Sequence, residues 1–299
     1  MVPHSTCSYR FSSEGKWFID YVEAARAYPR SNLMTQDNLG LLSHAYDAAD
    51  GSLKVKQDWG RFARHIQQLN DCGDPGVSYK VLLVVRHGRG VHNVVMDEVG
   101  SSEWKTNWSK LDGDSHRTWF DAELVKMGVA QAKALSMFYD DGIRYLGFPV
   151  PDALYTSPLA RCLETTKLVF EDVMNEQRMT FKPVVKELLR ERLTDHTCDR
   201  RRTKDWITAT YPEYELEAGF TDEDRLWHAD RSESKEEHVA RTQSLLEDIW
   251  TQDSGTVLAL ITHSYTLSSI LEVIDAPHFR VGEGVMTAFL VRGERVGVD

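Results

Sequence analysis

The chain has 299 residues, 41% hydrophobic and 27% charged, enough to bury one sizeable core within a single elaborated domain. Its formal charge of −11 gives no field that would draw it to nucleic acid or an anionic membrane, so neither is expected as a partner and an anionic substrate must be met by local positive charge. It has no bilayer-spanning apolar run and no secretory-type start, and Cys7, Cys72, Cys162 and Cys198 lack paired spacing, so a cytoplasmic protein with reduced thiols and no structural metal is expected.

The first 79 residues are read as an N-terminal extension that packs on the core. Residues 16–25 suggest a short amphipathic turn, residues 38–46 a loop, and residues 59–68 carry apolar side chains at helical spacing. Trp17, Phe18 and Trp59 are read as packing anchors. The run Asp71-Cys-Gly-Asp-Pro-Gly76 is a turn leading into a catalytic domain over 80–299. There a strand over 80–85 is followed by a long loop, with a cap at about 94–120. Helices are expected at about 122–139, 159–173, 235–251 and 266–274, and strands at 152–156, 181–185, 256–261 and 285–292. This alternation predicts an α/β three-layer sandwich, a mostly parallel central sheet flanked by helices.

Candidate chemistry gathers where strands end. Lys80-Val-Leu-Leu-Val-Val85 reads as a central parallel strand, and α/β sheets bind ligands outside the carboxyl ends of their strands. Arg86-His87-Gly88 follows at once. Arg86 offers a planar fork of donors to phosphate oxygens and His87 an imidazole that can attack phosphorus, while Gly88 lets a ligand approach the backbone. A neutral His87 would attack through one ring nitrogen while the other donates to an acceptor such as a backbone carbonyl. Arg161 follows Ser157-Pro158 in a helix's first turn, where a cation opposes the helix dipole unless an anion sits there. A second apolar strand, Val257-Leu-Ala-Leu-Ile261, leads into Thr262 and His263. Arg190, Arg192, Arg200, Arg201 and Arg202 form the one dense basic segment. It could be a solvated face or an anion site.

These motifs, with Asn93 in the first loop and Glu187-Leu-Leu-Arg-Glu-Arg192 after the third strand, resemble the histidine phosphatase superfamily over about residues 80–292. That group includes the cofactor-dependent phosphoglycerate mutases. The run His196-Thr-Cys-Asp-Arg200 is similar to that of the fungal phosphomutase-like proteins. The resemblance implies the phosphoglycerate mutase-like fold and phosphoryl transfer through a phosphohistidine on His87. Arg86, Arg161, His263, Asn93 and Gly88 would hold the phosphoryl group, with no metal and no organic cofactor. It also implies that Glu191 protonates the leaving oxygen. Glu187, four residues earlier, is the rival, and could instead pair with Arg190 or Arg192. Arg89, His92, Arg192, His196 and Arg200 lie beside these motifs and are candidates for gripping the rest of a small phosphorylated substrate.

Two departures narrow the reading. Histidine acid phosphatases carry an arginine and proline soon after the tripeptide and an aspartate after the second histidine, where Gly90-Val91 and Ser264 stand here. Phosphoglycerate mutases follow their glutamate with tyrosine-glycine-glycine, where Leu193-Thr194-Asp195 stand here. A metal-independent phosphatase of a small phosphomonoester or diphosphate is therefore expected. The alternatives are a phosphomutase using the same intermediate and a non-catalytic or repurposed member of the fold. For the cap, Trp104, Trp108 and Trp119 could form an apolar wall to the site or pack on one another.

Overall fold

The computed structural model describes residues 8–43 and 58–297. Cys7 and the last residues of the loop expected over 38–46 lie outside them. The molecule is built on a seven-stranded sheet of order β1-β9-β3-β7-β4-β5-β6. Its strands are β1 (Ser8–Ser13), β3 (Val77–Arg86), β4 (Ala153–Thr156), β5 (Val184–Val185), β6 (Glu215–Leu216), β7 (Val257–Thr262) and β9 (Met286–Val296). The β3-β7-β4-β5-β6 portion is parallel throughout, whereas β9 runs antiparallel to both β3 and β1. A separate parallel pair joins β2 (Asn32–Leu33) to β8 (Arg280–Val281).

Apolar sequence explains the centre of this sheet. All six residues of β7 and six consecutive residues of β3 are buried, as expected for strands covered on both faces. The cover comes from two packed helix pairs, α5 (Lys126–Asp141) with α6 (Ala160–Glu176) and α8 (Lys235–Gln252) with α9 (Ser264–Val273). The result is the expected three-layer α/β architecture.

The first 79 residues contribute an edge strand as well as packing elements. The buried Tyr9 and Phe11 alternate with exposed Ser8 and Arg10, and β1 pairs with β9 from Ser8↔Val296 to Ser13↔Val291. Between β1 and β3 come α1 (Tyr21–Ala25) and α2 (Asp58–Cys72). Trp17, Phe18 and Trp59 are buried and meet Phe62 of α2 at ring-centroid distances of 5.5–5.7 Å. They anchor this layer as the sequence suggested.

The long loop expected after Arg86 is largely helical. α3 (Val91–Val99) starts at Gly90, and α4 (Ser101–Thr106) follows from Gly100. Asn93 explains the early start. Its Oδ1 accepts the Gly90 N–H at 3.0 Å, so a residue read only as a ligand also caps the helix. α7 (Lys204–Thr210) completes the set, with Thr203 capping it through the Trp206 N–H.

Candidate active site

Register brings the two central histidines together. In the β3–β7 pair Arg86 stands opposite Thr262, and the His87 N–H donates to the Thr262 carbonyl at 3.0 Å. His87 and His263 thus leave neighbouring strands at one level, with ring centroids 5.0 Å apart. His87 is 2% exposed, and its Nδ1 lies 2.7 Å from the Gly88 carbonyl. A carbonyl only accepts, so Nδ1 carries the ring proton and Nε2 keeps its lone pair. Burial, reinforced by Arg161 and Arg86, holds the imidazole well below the usual histidine range and therefore neutral.

Gly88 has a different reason from the one read in sequence. A Cβ there would lie 2.5 Å from the Gly128 carbonyl oxygen, in the first turn of α5, and the Gly88 N–H donates to Thr165 Oγ1. The glycine permits contact between two backbones, and its N–H is already engaged.

Arg86 and Arg161 supply the positive charge acting on His87. Arg86 Nη1 donates to the Val281 carbonyl at 2.7 Å and Nη2 lies 3.5 Å from Glu283. Arg161, 1% exposed, donates through Nη1 to the Cys198 carbonyl at 2.7 Å, and its Nη2 is 3.6 Å from Asp199. The Nε of each, and Nδ1 of His92, are buried without a protein partner. Buried guanidinium donors left unpaired are costly, and an anion that reached them would repay that cost. Arg161 does occupy the first turn of α6, but the anion at that helix start is Asp121. Its Oδ1 accepts the Ala160 N–H at 2.8 Å and its Oδ2 the Arg202 N–H at 3.0 Å. The dipole argument for a phosphate at Arg161 is thereby answered within the protein. Asp121 carried no sequence signal beyond its place in a long loop. His263 Nε2 rests 2.8 Å from Ser157 Oγ and 3.3 Å from Cys162 Sγ, so Cys162 does more than fill the core.

Glu191 and Glu187 separate cleanly. Glu191 caps α9: its carboxylate accepts the Tyr265, Thr266 and Arg192 N–H groups at 3.0–3.2 Å and the Ser264 hydroxyl at 3.4 Å. Burial, and then the charge of Asp199, raises it above the ordinary glutamate range in spite of these donors. Glu187 instead forms ion pairs with the buried Arg190 and Arg201. The expected partner Arg190 is found, while Arg201 takes the place considered for Arg192.

Much of the basic segment is paired within the protein. Arg190 also pairs with Asp224 at 2.6 Å, and Arg202 with Glu123 at 2.9 Å. Four of its arginines are held by aromatic faces: Arg192 over Tyr265 at 4.8 Å, the exposed Arg200 between Phe120 and Trp227 at 5.3 and 5.4 Å, Arg201 over Phe220 at 4.4 Å and Arg202 over Trp206 at 4.3 Å. Arg89 is occupied by Asp97 and lies 3.7 Å from Glu283. His92 stands 5.7 Å from His87 between ring centroids, and His196 6.1 Å from Trp104. Trp104 and Trp119 are buried in a satellite core with Val95, Ala122 and Cys198, and Trp108 packs against it from the edge. Of the two readings of the cap, the structure shows the tryptophans packing on one another.

A buried neutral histidine in the field of two guanidiniums, at the carboxyl edge of a parallel sheet, with a protonatable glutamate on the helix that follows the second histidine, is a phosphoryl-transfer arrangement. Residues 82–280 match the model of the histidine phosphatase superfamily (branch 1), and the chain belongs to that superfamily. It is 39% identical to a "Probable phosphoglycerate mutase" of Arthroderma benhamiae, over 89% of this chain and 80% of that protein. It is 29% identical to "Phosphomutase-like protein 3" of Candida albicans, over 74% of this chain and 68% of that one. Among solved structures, the alpha-ribazole phosphatase of Shigella flexneri aligns with a TM-score of 0.42 at 19% identity, covering 70% of this chain and 89% of that one. No helix among the described residues is long and apolar enough to cross a membrane.

Proposed function

We propose that the protein is a metal-independent phosphatase that hydrolyses a small phosphomonoester or diphosphate through a phosphohistidine on His87. The observation that carries this reading is the neutral His87, its Nδ1 proton committed to Gly88 and its Nε2 free, in the field of Arg86 and Arg161. In the first step Nε2 bonds to phosphorus while the P–O bond to the leaving group breaks, and Glu191 gives its proton to the departing oxygen. In the second, Glu191 takes a proton from water, whose oxygen attacks phosphorus as the P–N bond breaks, releasing inorganic phosphate. Fixed guanidinium charge does the work that a metal would otherwise do on the phosphoryl oxygens. Asn93, with Oδ1 held by Gly90, keeps its amide N–H groups as neutral donors.

A phosphomutase, returning the phosphoryl group to a second hydroxyl, is favoured by the name of the relative at 39% identity. Single-turnover release of inorganic phosphate, screened over sugar phosphates, nucleotides and prenyl diphosphates with chelator present, tests the proposal. Stoichiometric phosphate from at least one class supports it. Transfer only to added alcohols points to the mutase, and activity lost to chelator and restored by a divalent ion sinks the metal-free mechanism.

A further inference from the structure

Beside Arg161, on the segment between β5 and α7, lies a group of soft and hard donors that the proposed reaction does not use. His196, Cys198 and Asp199 each offer one ligand atom, and these atoms all lie within 4.8 Å of one another. The Cys198 thiol is 3.8 Å from Asp199 Oδ1, and both residues are buried while His196 is half-buried. A thiol, an imidazole and a carboxylate are the donor types that bind zinc-like cations.

The frame around them is already fixed. Residues Thr197–Asp199 form a tight turn, with the Asp199 N–H donating to the His196 carbonyl at 3.1 Å. Trp227 Nε1 donates to that same carbonyl at 2.9 Å, and Thr197 Oγ1 to the Leu111 carbonyl at 2.6 Å. Thr194 Oγ1 donates to Asp199 Oδ2 at 2.5 Å and leaves Oδ1 on the thiol side. A ligating carboxylate held by an outer hydrogen bond is what an ordered metal site requires.

We propose that His196, Cys198 and Asp199 form a binding site for a thiophilic divalent cation of the zinc class, and that its occupancy inhibits the enzyme through Asp199. As the metal–sulfur bond forms, the Cys198 S–H proton passes to solvent, with no change in oxidation state. Arg161 lies 3.6 Å from Asp199 Oδ1, and its charge opposes the cation. The same contact makes the coupling: a metal that takes this oxygen withdraws the carboxylate that holds the Arg161 guanidinium in place.

The test uses cobalt as a spectroscopic probe in the full-length protein with Cys7→Ser and Cys72→Ser, which leaves Cys162 and Cys198 as the thiols. One equivalent of Co²⁺ should raise a near-ultraviolet sulfur-to-cobalt band, which Zn²⁺ should bleach by displacement. Cys198→Ser should abolish the band. His196→Asn, at a half-buried position, should weaken Co²⁺ affinity by more than the about 10–100-fold typical of losing an outer partner, and Thr194→Val by about that amount. Absence of the band, or its survival in Cys198→Ser, overturns the site. Zn²⁺ should lower turnover in step with occupancy, and chelator should restore it. Full turnover of the zinc-loaded protein overturns the coupling through Asp199. Because the band is read without any substrate, failure of the metal site and failure of the phosphatase reading are separate results.

Discussion

Glu191 lies at the N-terminus of α9, accepting the Thr266 N–H at 3.2 Å, one helical turn from the His263 that precedes the helix. The second strand-end histidine and the proposed acid are therefore positioned by a single element, and a shift of α9 moves both. The helix amides stabilise the carboxylate, whereas burial and Asp199 favour its protonated form. The second influence prevails, which suits a group that must give a proton before it accepts one.

Replacing His87 with Asn should abolish turnover while leaving the fold intact. A rapid quench in alkali should trap phosphate on the wild-type protein, because phosphohistidine survives base, and should trap none on the variant. Near-normal turnover of His87→Asn would remove the nucleophile assignment.

Glu191→Gln should cripple hydrolysis of an alkyl phosphate yet spare much of the first step with a nitrophenyl ester, whose leaving oxygen needs little help. The second step still lacks a base, so phosphoenzyme should accumulate with the activated ester. Glu187→Gln should behave differently. It weakens the pairing of the buried Arg190 and Arg201, so denaturant midpoints should fall while the ratio of rates on the two esters stays at the wild-type value. Equal losses on both esters for Glu191→Gln, without accumulation, would reverse the assignment.

His238, buried between α8 and α9 and 3.4 Å from Thr266 Oγ1, is pushed down to about 2 by burial and then by Arg241. A histidine depressed in the fold contributes stability above its unfolded value near 6.5 and loses it as pH falls below that. The loss approaches about 1.4 kcal/mol per pH unit for one proton. Urea unfolding of wild type and His238→Gln at pH 7.5, 6.5 and 5.5 should show the gap between them narrowing by about 0.4 kcal/mol over the first step and by about 1 kcal/mol more over the second. Asp121, raised to about 6, titrates in both proteins and cancels from the comparison. A gap independent of pH would mean that folding leaves the protonation of His238 unchanged.

Gly88→Ala should destabilise the protein by about 1–3 kcal/mol, the usual cost of forced overpacking. Gly128→Ala should do the same, because its Cβ would meet the Arg89 carbonyl at 2.2 Å. Thermal melts of both variants check this. An unchanged melt for Gly88→Ala would restore ligand approach as the reason for the glycine.

Much of the sheet was legible because apolar runs such as 80–85 and 257–261 have no other use than a doubly covered strand. The strand-end histidines followed from that. What escaped were partners far away in sequence. The arginine-rich segment reads as surplus charge until Asp224 is placed beside it, and the first turn of α6 reads as awaiting an anion until Asp121 arrives from another loop. β1 left a trace in the alternation of Tyr9 and Phe11 with polar neighbours. Six residues are too few for that pattern to reveal a partner at Met286–Val296. Helix α3 was hidden because Asn93 was assigned one task when it performs two.

The position of β9 bears on how the chain is made. It lies between β1 and β3, so the edge strand formed by residues 8–13 has no partner until residues 291–296 are available. Pairings between such distant segments close slowly, and unpaired edges are exposed meanwhile. During synthesis, β1 must therefore wait for residues 291–296 to leave the ribosome. A premature stop before residue 286 would strand two hydrogen-bonding edges at once, one on β1 and one on β3.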